Sequence, residues 1–95
     1  MYTVDELTVI INRVAKGYHI RKVILVGSYA HNVATAKSDV DLVVDGDNLD
    51  IAYWDILFEL EDILRVPVDL MTMHGVEGSL LKESLLKGGL VLYEA

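Results

Sequence analysis

Two aspartates one residue apart, Asp39 and Asp41, follow the dipeptide Gly27-Ser28 after ten intervening residues. A third carboxylate, Asp69, stands inside the apolar stretch Val66-Pro67-Val68-Asp69-Leu70-Met71. Residues i and i+2 of a strand share a face, with Cα atoms about 6–7 Å apart. Carboxylates so placed can converge on divalent cations, which in two-ion sites lie about 3.5–4 Å apart. Oxygen ligands without histidine or thiolate select Mg²⁺ or Mn²⁺ rather than zinc. Gly27 allows the backbone close to a phosphate, and Ser28 offers a hydroxyl at a helix N-terminus, where anions are favoured. Asp69, on a neighbouring strand, can complete such a site and take a proton from an attacking hydroxyl. These residue types allow metal-assisted chemistry on a phosphate-bearing substrate.

The elements that must position them are readable in order. Thr3-Val4-Asp5-Glu6 has the form of a capping box, and Leu7, Ile10, Ile11 and Val14 follow at helical spacing until Gly17. Ile20 to Val26 is β-branched and apolar, a buried strand that delivers the chain to Gly27. Ser28 to about Val33 is expected to form a short helix, with Asn32 suited to the left-handed residue that ends it. Asp39 to Asp45 alternates, Val40, Leu42 and Val44 on one face and Asp39, Asp41 and Asp45 on the other. Asp45 lies too far along the strand to count as a ligand.

Gly46-Asp47-Asn48 reads as a turn, Asn48 or Asp50 as the cap of a helix from about Ile51 to Leu64. Trp54 and Phe58, at i and i+4 of that helix, are expected in the core. Glu59-Leu60-Glu61-Asp62 is expected to be a solvated face. Val66 to Met71 is the next strand, Gly75 to Gly78 a loop, Ser79 to Lys87 a helix stopped by Gly88-Gly89, and Leu90 to Tyr93 a last strand. The predicted order, α-β-α-β-α-β-α-β, is that of an α/β or α+β domain with a small mixed sheet and packed helices. With 95 residues and no repeat or linker, one domain over 1–95 is expected.

Composition narrows the function. Fifteen acidic residues against eight basic ones give a net charge of −7, and the compact basic cluster Lys16, His19, Arg21 and Lys22 is small. Direct nucleic-acid binding, which requires a basic face, is disfavoured, whereas a nucleotide bridged by divalent metal is allowed. No membrane span or signal peptide is visible and cysteine is absent, so a cytoplasmic protein is expected. An apolar fraction of 53% is high for so short a chain, and some of it is expected to face a partner protein or a second copy in a homodimer.

Gly27-Ser28-Tyr29-Ala30-His31-Asn32-Val33-Ala34 through Ser38-Asp39-Val40-Asp41-Leu42 resembles the signature of the minimal nucleotidyltransferase family, within the DNA polymerase β-like superfamily. The resemblance extends over nearly the whole chain, including Val68-Asp69-Leu70 and Lys87-Gly88-Gly89-Leu90-Val91-Leu92-Tyr93. It implies a polymerase-β-like nucleotidyltransferase core in which Gly27 and Ser28 hold the triphosphate of ATP. It further implies that Asp39 and Asp41 hold two Mg²⁺ ions, and that Asp69 binds the catalytic metal and helps activate the nucleophile. Members commonly carry arginine where this chain has Tyr29 and His31, and glycine where it has Asn32; the triphosphate charge would then fall to Lys37, Arg21 or a partner.

Short members of the family resemble antitoxins of helical HEPN-domain RNase toxins. The resemblance thus implies transfer of AMP from ATP to a tyrosine of a HEPN toxin. Two alternatives stand beside that reading, a non-catalytic module that masks its partner and a small-molecule, antibiotic-type nucleotidyltransferase. The latter is disfavoured because one domain is expected over 1–95, without a second to hold an acceptor.

Overall fold

The computed structural model describes all 95 residues. In chain order the elements are α1 (Val4–Ala15), β1 (Ile20–Val26), α2 (Gly27–Ala30), β2 (Val40–Gly46), α3 (Leu49–Leu64), β3 (Val68–Thr72), α4 (Met73–Glu77), α5 (Lys82–Leu86) and β4 (Leu90–Glu94). The capping box forms as expected: the Glu6 amide donates to Thr3 Oγ1 at 3.0 Å and the Thr3 amide donates to Glu6 Oε1 at 2.8 Å. The Thr3 amide bond to the carboxylate, and then the Thr3 side chain, hold the Glu6 carboxyl below its ordinary range.

Four strands form one mixed sheet in the order β3-β2-β1-β4. The β1–β2 and β1–β4 pairs are antiparallel, while β2 and β3 run parallel with α3 as their crossover. One sheet face, carrying Val23, Leu25, Val40, Leu42, Val44, Val68 and Leu70, packs with α1 and α3 into the main core. The opposite face is only partly covered: Val26 and Val43 of the sheet meet Val76 of α4, with Met71, Leu85 and Leu86 beside them. The carboxylates belong to this thinner side.

Helix α3 is anchored at both flanks of β3. The Tyr53 hydroxyl donates to the Leu70 carbonyl at 2.6 Å, and the Val68 amide donates to Glu61 Oε2 at 3.1 Å. Glu61 is therefore not part of a solvated face; it satisfies an edge-strand amide that would otherwise lack a partner.

Other expectations need correction. Trp54 and Phe58 do not enter the core; each is 60% exposed, because α3 turns Leu49, Ile56, Leu60 and Leu64 toward the sheet instead. The segment 73–77 is helical and takes in most of the Gly75–Gly78 stretch expected as a loop, its start capped by the Gly75 amide donating to Thr72 Oγ1 at 3.1 Å. The helix expected from Ser79 shrinks to Lys82–Leu86. The short helix expected from Ser28 begins at Gly27 and ends at Ala30, and Asn32 does adopt the left-handed conformation, φ 58°. Asn48 caps no amide with its side chain and instead sits left-handed at φ 56°.

Candidate active site

Strand β1 ends where the chain must turn sharply, and Gly27 makes that turn at φ +74°, a region that costs L-residues about 1–2 kcal/mol. Its neighbour across β1–β2 is Asp41, the register partner of Val26. A Cβ on Gly27 would overlap Asp41 Oδ2 and stand 3.0 Å from Cγ. Glycine is thus required twice, by the backbone and by the carboxylate lying against it.

On the other side of β2, Asp41 is paired in parallel register with Asp69 of β3. Parallel register partners point to the same face, so two carboxylates stand side by side on adjacent strands. Asp39 precedes β2 by one residue and is exposed, while Asp41 is half-buried. Burial, then the charge of Asp69, then that of Asp39 push the Asp41 carboxyl above its usual range. The chain's three ion pairs, Arg21–Asp45, Arg21–Asp47 and Lys22–Glu94, leave all three of these carboxylates without a cation.

A cleft of about 180 Å³ opens here, lined by Gly27, His31, Asp41, Asp69, Met71 and Ser84, with Val26 and Leu85 at its base. A pocket that encloses a drug-sized ligand usually measures about 300–1,000 Å³, so a nucleoside triphosphate would extend past this mouth. A larger hollow of about 620 Å³ lies toward the other end of β2, among Arg21, Asp45, Asp50, His74 and Glu77. Its guanidinium is already held by Asp45 and Asp47, and none of Gly27, Ser28, Asp39, Asp41 and Asp69 reaches it.

The cleft thus gathers Gly27, Asp41 and Asp69, with Asp39 at its approach. Ser28 is half-buried on the turn and does not line the cleft. The three acids do not stand in a closed metal-ligand geometry. Their chemistry nevertheless fits a hard dication: the donors are all carboxylate oxygens, uncompensated by any cation, and their mutual repulsion is what a bound dication would relieve.

The two positions where members carry arginine part ways, and one expectation changes. Tyr29 is buried in the main core, where its hydroxyl accepts from the Tyr2 amide at 3.5 Å, away from the cleft. Arg21 cannot stand in for a missing arginine, since it lies at the opposite end of β1 from Gly27. His31, by contrast, lines the cleft, its ring packed so tightly on Gly88 (φ +73°) that a Cβ there would come 2.6 Å from Cε1. Ser84 is a cleft residue that no local pattern marks, because the α5 fold-back that brings it there is a long-range event.

The chain matches the family model described as nucleotidyltransferase domain over residues 7–92. It is 30% identical over 93 residues to a candidate protein adenylyltransferase of Methanocaldococcus jannaschii, covering 90% of this chain and 93% of that one. A second such protein of that organism is also 30% identical, over 98 residues, at the same coverage. Among solved structures, the toxin–antitoxin complex MntA-HpeT, in a variant with two aspartates changed to glutamate, superposes with a TM-score of 0.75 at 19% identity. That match covers 93% of this chain and 73% of that one. A complex of a tri-AMPylated Shewanella oneidensis HEPN toxin with its MNT antitoxin matches with a TM-score of 0.71 at 20% identity, covering 98% and 74%. The mixed sheet and its packed helices are those of a nucleotidyltransferase fold, and the chain belongs to the nucleotidyltransferase domain family.

Proposed function

We propose that this protein transfers a nucleotide, AMP from ATP, to a hydroxyl of a partner protein, a tyrosine of a HEPN-domain toxin, and acts in the cytoplasm as its antitoxin. The observation that carries the reading is the Asp41–Asp69 register pair set beside the Gly27 turn at one cleft. The names of the two archaeal relatives support protein adenylylation, and the solved complexes of the same fold support a HEPN partner.

In this reading residues 1–95 act as one catalytic domain. Asp39, Asp41 and Asp69 would hold two Mg²⁺ ions, with Mn²⁺ as a substitute. Bound there, the ions would supply charge stabilisation for the attacking and leaving oxygens of an in-line displacement. Gly27 lets the main chain approach the β- and γ-phosphates, and the Ser28 hydroxyl, on the turn beside the cleft, would donate to the part of the triphosphate that extends past the cleft mouth. Asp69, the outermost of the paired carboxylates, accepts the proton of the incoming tyrosine hydroxyl. The new bond joins that oxygen to the α-phosphorus, the bond from the α-phosphorus to the bridging oxygen breaks, and pyrophosphate departs.

The test is incubation of the protein with Mg²⁺, each of the four nucleoside triphosphates and a purified HEPN-domain protein as the candidate partner, read by intact mass. A gain of whole AMP units on the partner, lost with Asp39→Asn/Asp41→Asn, is the expected result. A stable complex with no mass change under any triphosphate would replace this reading with that of a masking module.

A further inference from the structure

Helix α3 carries more apolar residues than it has positions facing the sheet. Its inner stripe is spent on the core, and its outer side leaves Ile51, Trp54 and Phe58 in solvent, Ile51 at 84% exposure. These positions, i, i+3 and i+7, form one continuous ridge. The ridge is ordered rather than loose. The Trp54 and Phe58 rings lie 5.8 Å apart, and the Tyr53 ring meets Trp54 edge-on at 5.1 Å while its hydroxyl is fixed to Leu70. Aromatic side chains already held in place lose little freedom on docking, and they are the residues on which interface energy concentrates.

The flank of the ridge identifies the occupant. Asp55, Glu59 and Asp62 are exposed along its side, and the whole helix carries five acidic residues with no lysine or arginine. None of the five is in an ion pair. A second copy of the chain packed on this face would set acidic flanks against each other, at a cost that grows as water is excluded. A surface with an apolar groove edged by lysine or arginine meets both features.

We infer that the Ile51–Trp54–Phe58 ridge is the docking surface for the acceptor protein, whose complementary face is an apolar groove with a basic border. This rests on the protein-acceptor reading above. Because α3 covers the sheet face opposite Asp41 and Asp69, the docking contact is separate from the reacting hydroxyl. Its role is to raise the local concentration of acceptor at the cleft. Loss of the ridge therefore weakens acceptor binding without slowing transfer once acceptor saturates.

The test titrates the full chain with the candidate HEPN-domain partner, by calorimetry at low and high salt and by intact mass for AMP transfer. Three variants accompany the wild type: Trp54→Ala/Phe58→Ala, Asp55→Lys/Asp62→Lys and Asp39→Asn/Asp41→Asn. The apolar variant is expected to bind at least tenfold more weakly and to need correspondingly more acceptor for half-maximal transfer, with the saturated rate within twofold of wild type. The charge-reversed variant is expected to bind more weakly at low salt and to lose most of the salt dependence. Asp39→Asn/Asp41→Asn should bind normally.

Unchanged affinity in the apolar variant, or no binding by the wild type, overturns the docking surface. So does a wild-type homodimer in sedimentation that Trp54→Ala dissolves. Ridge-dependent binding without any transfer by the wild type would leave the docking surface standing and remove the transferase reading. Transfer that ignores the ridge would do the reverse.

Discussion

Gly27 and Asp41 are in direct contact, with no room for a side-chain carbon between the turn and the carboxylate. Gly27 directly follows β1 and Asp41 lies on the adjacent β2, and their closeness brings a bare stretch of main chain beside an acid that has no cation of its own. Neither residue would form this arrangement alone.

Gly27→Ala is accordingly expected to damage both fold and chemistry. The left-handed backbone costs about 1–2 kcal/mol for alanine, and displacement of Asp41 adds to it. Urea unfolding should register that loss, and nucleotide transfer should fall by about a hundredfold, since misplacing a group by about 1 Å can cost that much. A variant with wild-type stability and activity would show that the contact is dispensable.

Much of this site was legible because its parts are local in sequence. Gly27, Ser28, Asp39 and Asp41 lie within one strand–turn–helix–strand segment, and alternation along β2 turns Asp41 away from the core-facing Val40, Leu42 and Val44, with Asp39 one residue before the strand. Asp69 was expected on a neighbouring strand, but its direct register with Asp41 was not legible, because register across a parallel crossover is set by the packing of the 16-residue α3 rather than by spacing. The same helix explains the error over Trp54 and Phe58. Apolar residues occupy nearly all sides of it, so periodicity names several stripes and only the fit of Leu49, Ile56, Leu60 and Leu64 to the sheet selects one. Helix α4 was hidden by Gly75, a residue that reads as a loop and here receives the cap from Thr72.

Phe58 and Ile56, two residues apart on α3, separate these stripes experimentally. Ile56 is 1% exposed, and Ile56→Ala should cost about 2–5 kcal/mol. Phe58→Ala, on the outer ridge, should stay within about 0.5 kcal/mol of wild type. Urea titrations of both variants decide the matter; a cost of several kcal/mol at Phe58 would return it to the core.

Asp69→Asn keeps the size of the side chain and removes the proposed proton acceptor. Transfer is expected to fall by about 10²–10⁴-fold, the usual worth of a positioned general base. The melting temperature should not fall, because Asp69 is exposed and no ion pair is lost. Full activity in Asp69→Asn would move the proton-accepting role elsewhere.

Asp41 gives the fold a pH dependence whose sign follows from its crowding. Its carboxyl is raised in the folded chain by burial and by Asp69 and Asp39, so the folded state holds that proton more tightly than the unfolded state does. The associated stability is fully present below the unfolded carboxyl pKa of about 4 and is lost as pH rises through the folded value. At neutral pH the ionised site therefore opposes folding, and Asp41→Asn should melt at a higher temperature than wild type, an advantage that fades toward pH 3. Mg²⁺ should reverse the order. Binding to the folded wild type alone adds about 1.4 kcal/mol at ten times the dissociation constant, whereas Asp41→Asn should gain little. Melting curves of both proteins at pH 3 and pH 7, with and without Mg²⁺, read out each step without any enzymatic assay. Equal Mg²⁺ shifts in the two proteins would remove Asp41 from the metal site.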